Sequence, residues 1–351
     1  MKIKPKDLDF LSVYKIVKDS SPLGNKLRIE VKNGKVRYSQ KTELSFLTTE
    51  KENADLTEEF ELLIDLQSFT DFIGSVGKDE EVTISKTGVS LSKDNHYNFE
   101  NFTLAFPNVN DILQMVENSK STSTSLVIKD IDKLNVIKQF VGKDTLETVA
   151  LLKGKLLSTD RMRIAYTSTD LVSTENYFLS KQAIDLIKSE TELFLSDKFY
   201  HFNIGEVLCI FNWKEYKVPD LLSPTAMNNF NQTNHIVLDK SKLLQVLTRM
   251  NFFVTNNENN RIFLTVNSDN LLVENRDFNK SHDKVELKIG DSTLEGLVFI
   301  ISCPNFISII KQLQGNDICL YFNPDESSRK TVRIEDENHN FIFVHSRLKQ
   351  Q

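Results

Sequence analysis

Cysteine is scarce and unpatterned. Cys209, Cys303 and Cys319 are the only three in 351 residues. Their odd number and lack of Cys-x-x-Cys spacing suggest neither a disulfide framework nor a zinc knuckle, and all three read as small buried apolar side chains. Long apolar runs are absent too: nothing approaches the roughly 20 residues that a membrane helix needs. The start Met1-Lys-Ile-Lys-Pro-Lys has no signal-peptide core. The expectation is a cytoplasmic protein with no membrane partner. None of His96, His201, His235, His282, His339 or His345 has a His-x-x-x-His companion, and there is no Gly-x-Ser-x-Gly, phosphate loop or dinucleotide fingerprint. These gaps argue against the common metalloenzymes, nucleotide enzymes and hydrolases, so the chain reads as a non-enzyme without cofactor or metal. Positive charge is also short. Lys and Arg number 43 against 49 Asp and Glu, a net charge of −6, so any contact with nucleic acid must come from a local basic surface.

What the chain does have is a repeat. A capped amphipathic helix followed by alternating strands recurs at Lys4, Asp65, Asp130, Ser180, Asp239 and Ser302, each with apolar residues four and seven positions on. The pairs are Leu8 and Leu11, Phe69 and Phe72, Leu134 and Ile137, Ile184 and Ile187, Leu243 and Val246, Phe306 and Ile309. Asp and Ser at these starts supply N-cap oxygens, and Pro5 costs no hydrogen bond in a first turn. Between the helices, strands are expected at Lys26–Val31, Glu81–Ser85, Leu208–Trp213, Ile262–Val266 and Phe341–Val344, with turns at Asn33-Gly34 and Lys153-Gly154. Polar stretches at 117–125 and 228–234 read as linkers. The expected class is α+β: three tandem domains at 1-119, 120-231 and 232-351, each with two helices on antiparallel sheets and an internal pseudo-twofold repeat.

Motifs in the same order resemble one family. Pro22-Leu-Gly-Asn, Phe102-Thr-Leu with Phe106-Pro-Asn-Val-Asn-Asp, Ser158-Thr-Asp-Arg-Met-Arg-Ile-Ala, Val218-Pro-Asp-Leu, Val237-Leu-Asp-Lys-Ser-Lys-Leu-Leu and the terminal Val344-His-Ser-Arg-Leu are similar to segments of the bacterial-type DNA polymerase sliding clamp, the beta-subunit processivity factor. Each is weak alone, and their order and spacing carry the resemblance. Arg161-Met162 stand where the family has Gly-His, and Val344-His345-Ser346 stand where it has Met-Pro-Met. The resemblance is to a divergent member, and the abundance of Asn, Lys and Ile fits a phage or AT-rich genome.

The resemblance implies helices lining a head-to-tail homodimeric ring around duplex DNA, with a replicative DNA polymerase, a clamp loader and other clamp-binding-motif proteins as partners. The alternative is a clamp-fold interaction protein or decoy that does not encircle DNA. Candidate DNA-binding residues are Lys133, Lys138, Lys181, Lys188, Lys242, Arg249 and Lys311. Lys242, Gln245 and Arg249 share a helix face opposite Leu243, Leu244, Leu247 and Met250, and the fourth helix repeats this with Lys181, Asp185 and Lys188. The implied partner-peptide pocket, between the middle and C-terminal domains, comprises Leu146, Thr159, Met162, Arg163, Ile164, Pro219, Val344, Ser346, Arg347 and Leu348. Candidate dimer-interface residues are Phe102 and Leu104 on the last strand of the first domain, and Phe252 and Phe253 just after the fifth helix. Two adjacent aromatics on a helix cannot both face one core, so one exposed ring is expected there.

Overall fold

The computed structural model describes residues 1–53, 58–92, 95–143, 147–160, 163–171, 175–213, 234–254, 260–276, 281–288, 296–322, 331–337 and 342–346. The described residues hold seven α-helices: α1 (Leu11–Ile16), α2 (Leu66–Ser75), α3 (Val109–Ser119), α4 (Ile131–Lys138), α5 (Lys181–Leu186), α6 (Lys240–Val254) and α7 (Cys303–Gln312). The chain divides into two compact units, Met1–Ile131 with Phe178–Lys214 and Asp132–Tyr177 with Glu215–Gln351.

All six helix starts read from the repeat open a helix. Asp65 accepts a hydrogen bond from the Ser68 amide at 2.8 Å, and Ser180 accepts one from the Ala183 amide at 3.1 Å. These bonds satisfy amides that a helix leaves unpaired at its start. Ser180→Ala is expected to cost about 1 kcal/mol, read as a lower urea midpoint with an unchanged slope. The first helix is broken in two, a 3-10 turn at Pro5–Leu8 and then α1. Its anchor is Tyr14, fully buried, whose hydroxyl donates to the Tyr38 carbonyl at 3.0 Å and reaches Thr49 Oγ1 at 3.1 Å.

In the first unit eight antiparallel strands run in the order Phe60–Asp65, Lys26–Lys32, Lys35–Lys41, Ser45–Glu52, Val207–Asn212, Phe199–Ile204, Thr191–Leu195 and Thr124–Ile128. Asn33 and Gly34, at φ 51° and 76°, make the two-residue turn between paired Lys32 and Lys35. A left-handed pair of this kind matches the twist of the strands it joins. Alternation sorts the side chains. On one face Tyr200 stacks on Phe211 at 5.4 Å and takes the Ser180 amide at the head of α5 at 2.9 Å. On the other face Phe46, Phe199 and Ile210 form a core cluster with Val109 and Val116 of α3.

Helix α3 was not anticipated. The segment 117–125, expected to be a linker, is the end of α3 and the start of the strand Thr124–Ile128. The signal was present in the chain: Asn108 accepts from the Asn110 amide at 3.1 Å, and Val109, Ile112, Leu113 and Val116 follow at helical spacing. The polar tail Glu117-Asn-Ser-Lys masked it, because polarity marks a solvated helix face as readily as a loop.

In the second unit eleven antiparallel strands follow the order Thr148–Leu152, Lys155–Thr159, Arg163–Ser168, Ile342–Ser346, Thr331–Asp336, Asp317–Phe322, Asn234–Asp239, His282–Lys288, Asn270–Glu274, Arg261–Val266 and Leu297–Ser302. Here α6 buries Leu243, Val246, Leu247, Met250 and Val254, and α7 buries Cys303, Phe306, Ile309 and Ile310. The two helices meet where the Cys303 thiol donates to the Leu247 carbonyl at 3.4 Å. Cys209 and Cys303 are buried, which pushes each thiol up to about 12, and Cys319 is half-buried and also raised by burial.

Candidate functional site

The Ser158-Thr-Asp…Arg-Ile-Ala motif builds a tight reversal between the strands Lys155–Thr159 and Arg163–Ser168. Asp160 closes it: one carboxylate oxygen accepts the Arg163 amide at 2.7 Å, and the other accepts Arg163 Nε at 2.8 Å and Nη2 at 2.7 Å. The Thr159 hydroxyl donates to the Arg163 carbonyl at 2.8 Å. Thr159 is 2% exposed, so it shapes the turn from beneath. The guanidinium of Arg163 lies over the Phe140 ring at 5.1 Å, and its Nη1 reaches Ser308 Oγ of α7 at 3.3 Å. One side chain therefore ties the motif to α4's end and to α7. Two guanidinium N–H groups converging on one carboxylate oxygen, with the cation resting on an aromatic ring, hold the guanidinium in one place.

Beyond the turn, the strand Arg163–Ser168 pairs antiparallel with Ile342–Ser346, placing Arg163 opposite His345 and Ile164 opposite Val344. Two sequence segments picked out separately, 180 residues apart, are thus neighbours in one sheet. Ile164 is half-buried, which leaves part of its side chain available for a contact. Ser346 pairs with Thr331 on the far side of the closing strand. Leu146, Met162, Pro219, Arg347 and Leu348 lie outside the described residues.

The basic positions separate into two kinds. On α6, Lys242, Gln245 and Arg249 are exposed on one face as expected, but Lys242 pairs with Glu286 at 3.2 Å and Arg249 with Asp283 at 2.5 Å. The strand His282–Lys288 thus compensates a face that reads as positive when only helical spacing is considered. Leu244, expected on the apolar face, is half-buried, whereas Val246, expected from the repeat, is buried. Helix α5 ends at Leu186, so Lys188 stands beyond its last turn; both it and Lys181 are exposed. Lys133 and Lys138 are half-buried, with Lys138 donating to Asn135 Oδ1 at 2.9 Å. Lys311 is exposed in the last turn of α7.

Two expectations for the apolar interface residues are corrected. Phe252 and Phe253 lie inside α6, which runs to Val254, and both are exposed, at 78% and 44%. The buried stripe of α6 passes through Met250 and Val254 and bypasses both rings. Phe102 and Leu104 are in irregular chain instead of a strand. The Phe102 amide donates to the Leu63 carbonyl at 2.8 Å, and the Leu63 amide donates to Asn101 Oδ1 at 2.9 Å, where a ladder would use backbone alone. Lys26 Nζ caps the Phe102 ring at 3.6 Å, while Leu104 is 41% exposed.

No family model matches the sequence, and no curated protein matches it. Solved structures do match it from end to end. The DNA polymerase III subunit beta from Pseudomonas aeruginosa superposes with a TM-score of 0.80 at 12% identity, covering 100% of both chains. The pol III beta of Caulobacter crescentus gives 0.80 at 12% identity over 99% of each chain. The Helicobacter pylori beta clamp bound to a DNA ligase peptide gives 0.72 at 13% identity over 99% of each chain. Over its whole length the chain has the three-domain fold of the bacterial DNA polymerase III beta sliding clamps.

Proposed function

We propose that the protein is a DNA sliding clamp, with clamp domains at 1-119, 120-231 and 232-351. Two copies close head to tail into a ring around duplex DNA and tether a replicative polymerase for processive synthesis. The observation that carries this reading is the likeness to beta clamps over the whole chain. The protein acts without catalysis or cofactor, in the cytoplasm; no helix among the described residues is long and apolar enough to cross a membrane.

Partners dock on the sheet surface around Ile164 and Val344, walled by Met162, Arg163, Leu146, Pro219, Ser346, Arg347 and Leu348, with Thr159 supporting the turn from beneath. The ligase peptide held by the Helicobacter pylori clamp supports a peptide as the ligand. A clamp loader and other proteins carrying a clamp-binding motif use the same surface. Projection images of the assembled particle test the reading: a ring of sixfold outline is expected, and a lasting monomer by light scattering would turn it toward a clamp-fold interaction protein.

The DNA track needs positive charge without fixed contacts, so that phosphates are offset in every register. Exposed ion pairs such as Lys242 with Glu286 contribute about 0–1 kcal/mol, so a phosphate displaces the carboxylate at little cost. Reversing charge at Lys181, Lys188, Lys242 and Arg249 together is expected to shorten processive synthesis without changing thermal stability. Unchanged product lengths would move the track to other residues.

A further inference from the structure

Helix α3 is held unequally along its length. Its start is pinned: Asn108 caps it, Asn110 Oδ1 accepts Arg37 Nη1 at 3.0 Å, and Arg37 is itself fixed by Glu50 at 2.6 Å. Val109 is 1% exposed against Phe46 and Ile210. The other end sits over a cavity of about 500 Å³, bounded by Leu113, Val116, Glu117 and Lys120 above and Phe194, His201, Asn203 and Leu208 below. Val116, 5% exposed, belongs to the same core cluster and Leu113 packs against it, so what this half lacks is contact on the side that faces the cavity.

His201 lies in that floor. It is 4% exposed, stacked on Phe194 with ring centres 5.1 Å apart and beside Phe199 at 5.9 Å, and its Nδ1 has no hydrogen-bond partner. The charged groups around it offer an imidazolium nothing. On α3, Glu117 forms an exposed pair with Lys120 at 2.5 Å, and Lys120 is the charge that bears on the ring. On the strand Thr191–Leu195, Glu192 shares the face of Phe194 and accepts the Ser125 hydroxyl. The strand Val207–Asn212 contributes Leu208 and Ile210 to this side, neither of which titrates. Burial, and then the Lys120 charge, hold the histidine below its usual range.

We propose that α3 is a strap hinged at its N-terminal end, whose C-terminal half lifts from the sheet when His201 takes up a proton. The cavity, already partly open to solvent, then admits water to the ring, the imidazolium is solvated, and the apolar floor at Phe194 and Leu208 is further exposed. The sign follows from linkage. The lifted state binds the proton near the ordinary histidine value of about 6.5 and the closed state only at lower pH, so acid favours lifting. From pH 7.5 to 5 the opening equilibrium can gain roughly 30-fold at most, the limit in which the closed state never protonates.

Amide hydrogen exchange in the full-length protein, corrected for the intrinsic pH dependence of exchange, tests this. Amides of residues 113–119 are expected to exchange about tenfold faster at pH 5 than at pH 7.5, while those of the sheet beneath stay protected. In His201→Phe the helix is expected to remain and the acid response to vanish. Equal protection at both pH values would overturn the proposal. So would the same acid response in His201→Phe, or loss of protection spreading to the sheet.

Discussion

Aspartate at both Phe252 and Phe253 is expected to abolish self-association while leaving the protomer folded. Both rings are already exposed in the single chain, at 78% and 44%, so the substitutions remove no core packing and α6 keeps its buried stripe. In an assembled dimer the same positions would bury two unpaired carboxylates. Burial of a charge without a partner costs several kcal/mol, and about 4 kcal/mol weakens association roughly a thousandfold. Light scattering across a concentration series reads the loss, and circular dichroism melting reads the intact fold. A double variant that still elutes as a dimer, with an unchanged melt, would assign the interface to another surface.

Ile164→Asp is expected to lower affinity for the cognate polymerase's C-terminal peptide by about 100-fold or more, since an apolar anchor site carries much of the energy of a short-peptide complex. Ile164 is only half-buried and sits opposite Val344 in the ladder, so the substitution affects the proposed docking surface more than the sheet core. Fluorescence anisotropy should be run on wild type, Ile164→Asp and a chain lacking 347–351, with the standard bacterial clamp peptide as a second ligand. Truncation is expected to weaken the cognate peptide as well. With Met162 and His345 where the family has His and Pro, the standard peptide is expected to bind weakly. Equal affinity of the three proteins for the cognate peptide would remove the pocket assignment, and tight binding of the standard peptide would remove the altered specificity.

The six repeat helices were legible because each is specified locally. An N-cap such as Asp65 or Ser180 satisfies amides within three residues of itself, and apolar residues one and two turns on need only a sheet to cover them. The turns at Asn33-Gly34 and Lys153-Gly154 were legible for the same reason: their left-handed backbone is a property of two residues. The strand cores followed from alternation, and the burial of Cys209 and Cys303 followed from residue type.

Other features depended on partners distant in the chain, which one-dimensional spacing does not report. The face of α6 reads as basic until the strand His282–Lys288 brings Glu286 and Asp283 against it, some 34 to 44 residues away. Whether Phe252 or Phe253 is the exposed ring could not be settled by adjacency, because the answer depended on how far α6 continued; it runs past both. The role of Arg163 required Ser308, 145 residues on. The cavity under α3 required the helix from the first segment of its unit and strands from the second, 178–214. Local chemistry alone determined where the elements begin, turn and bury their apolar sides. Only the tertiary structure decided which charges are compensated, which apolar rings stay exposed and which segments become neighbours, because each of these is a property of a pair of residues held together by the fold.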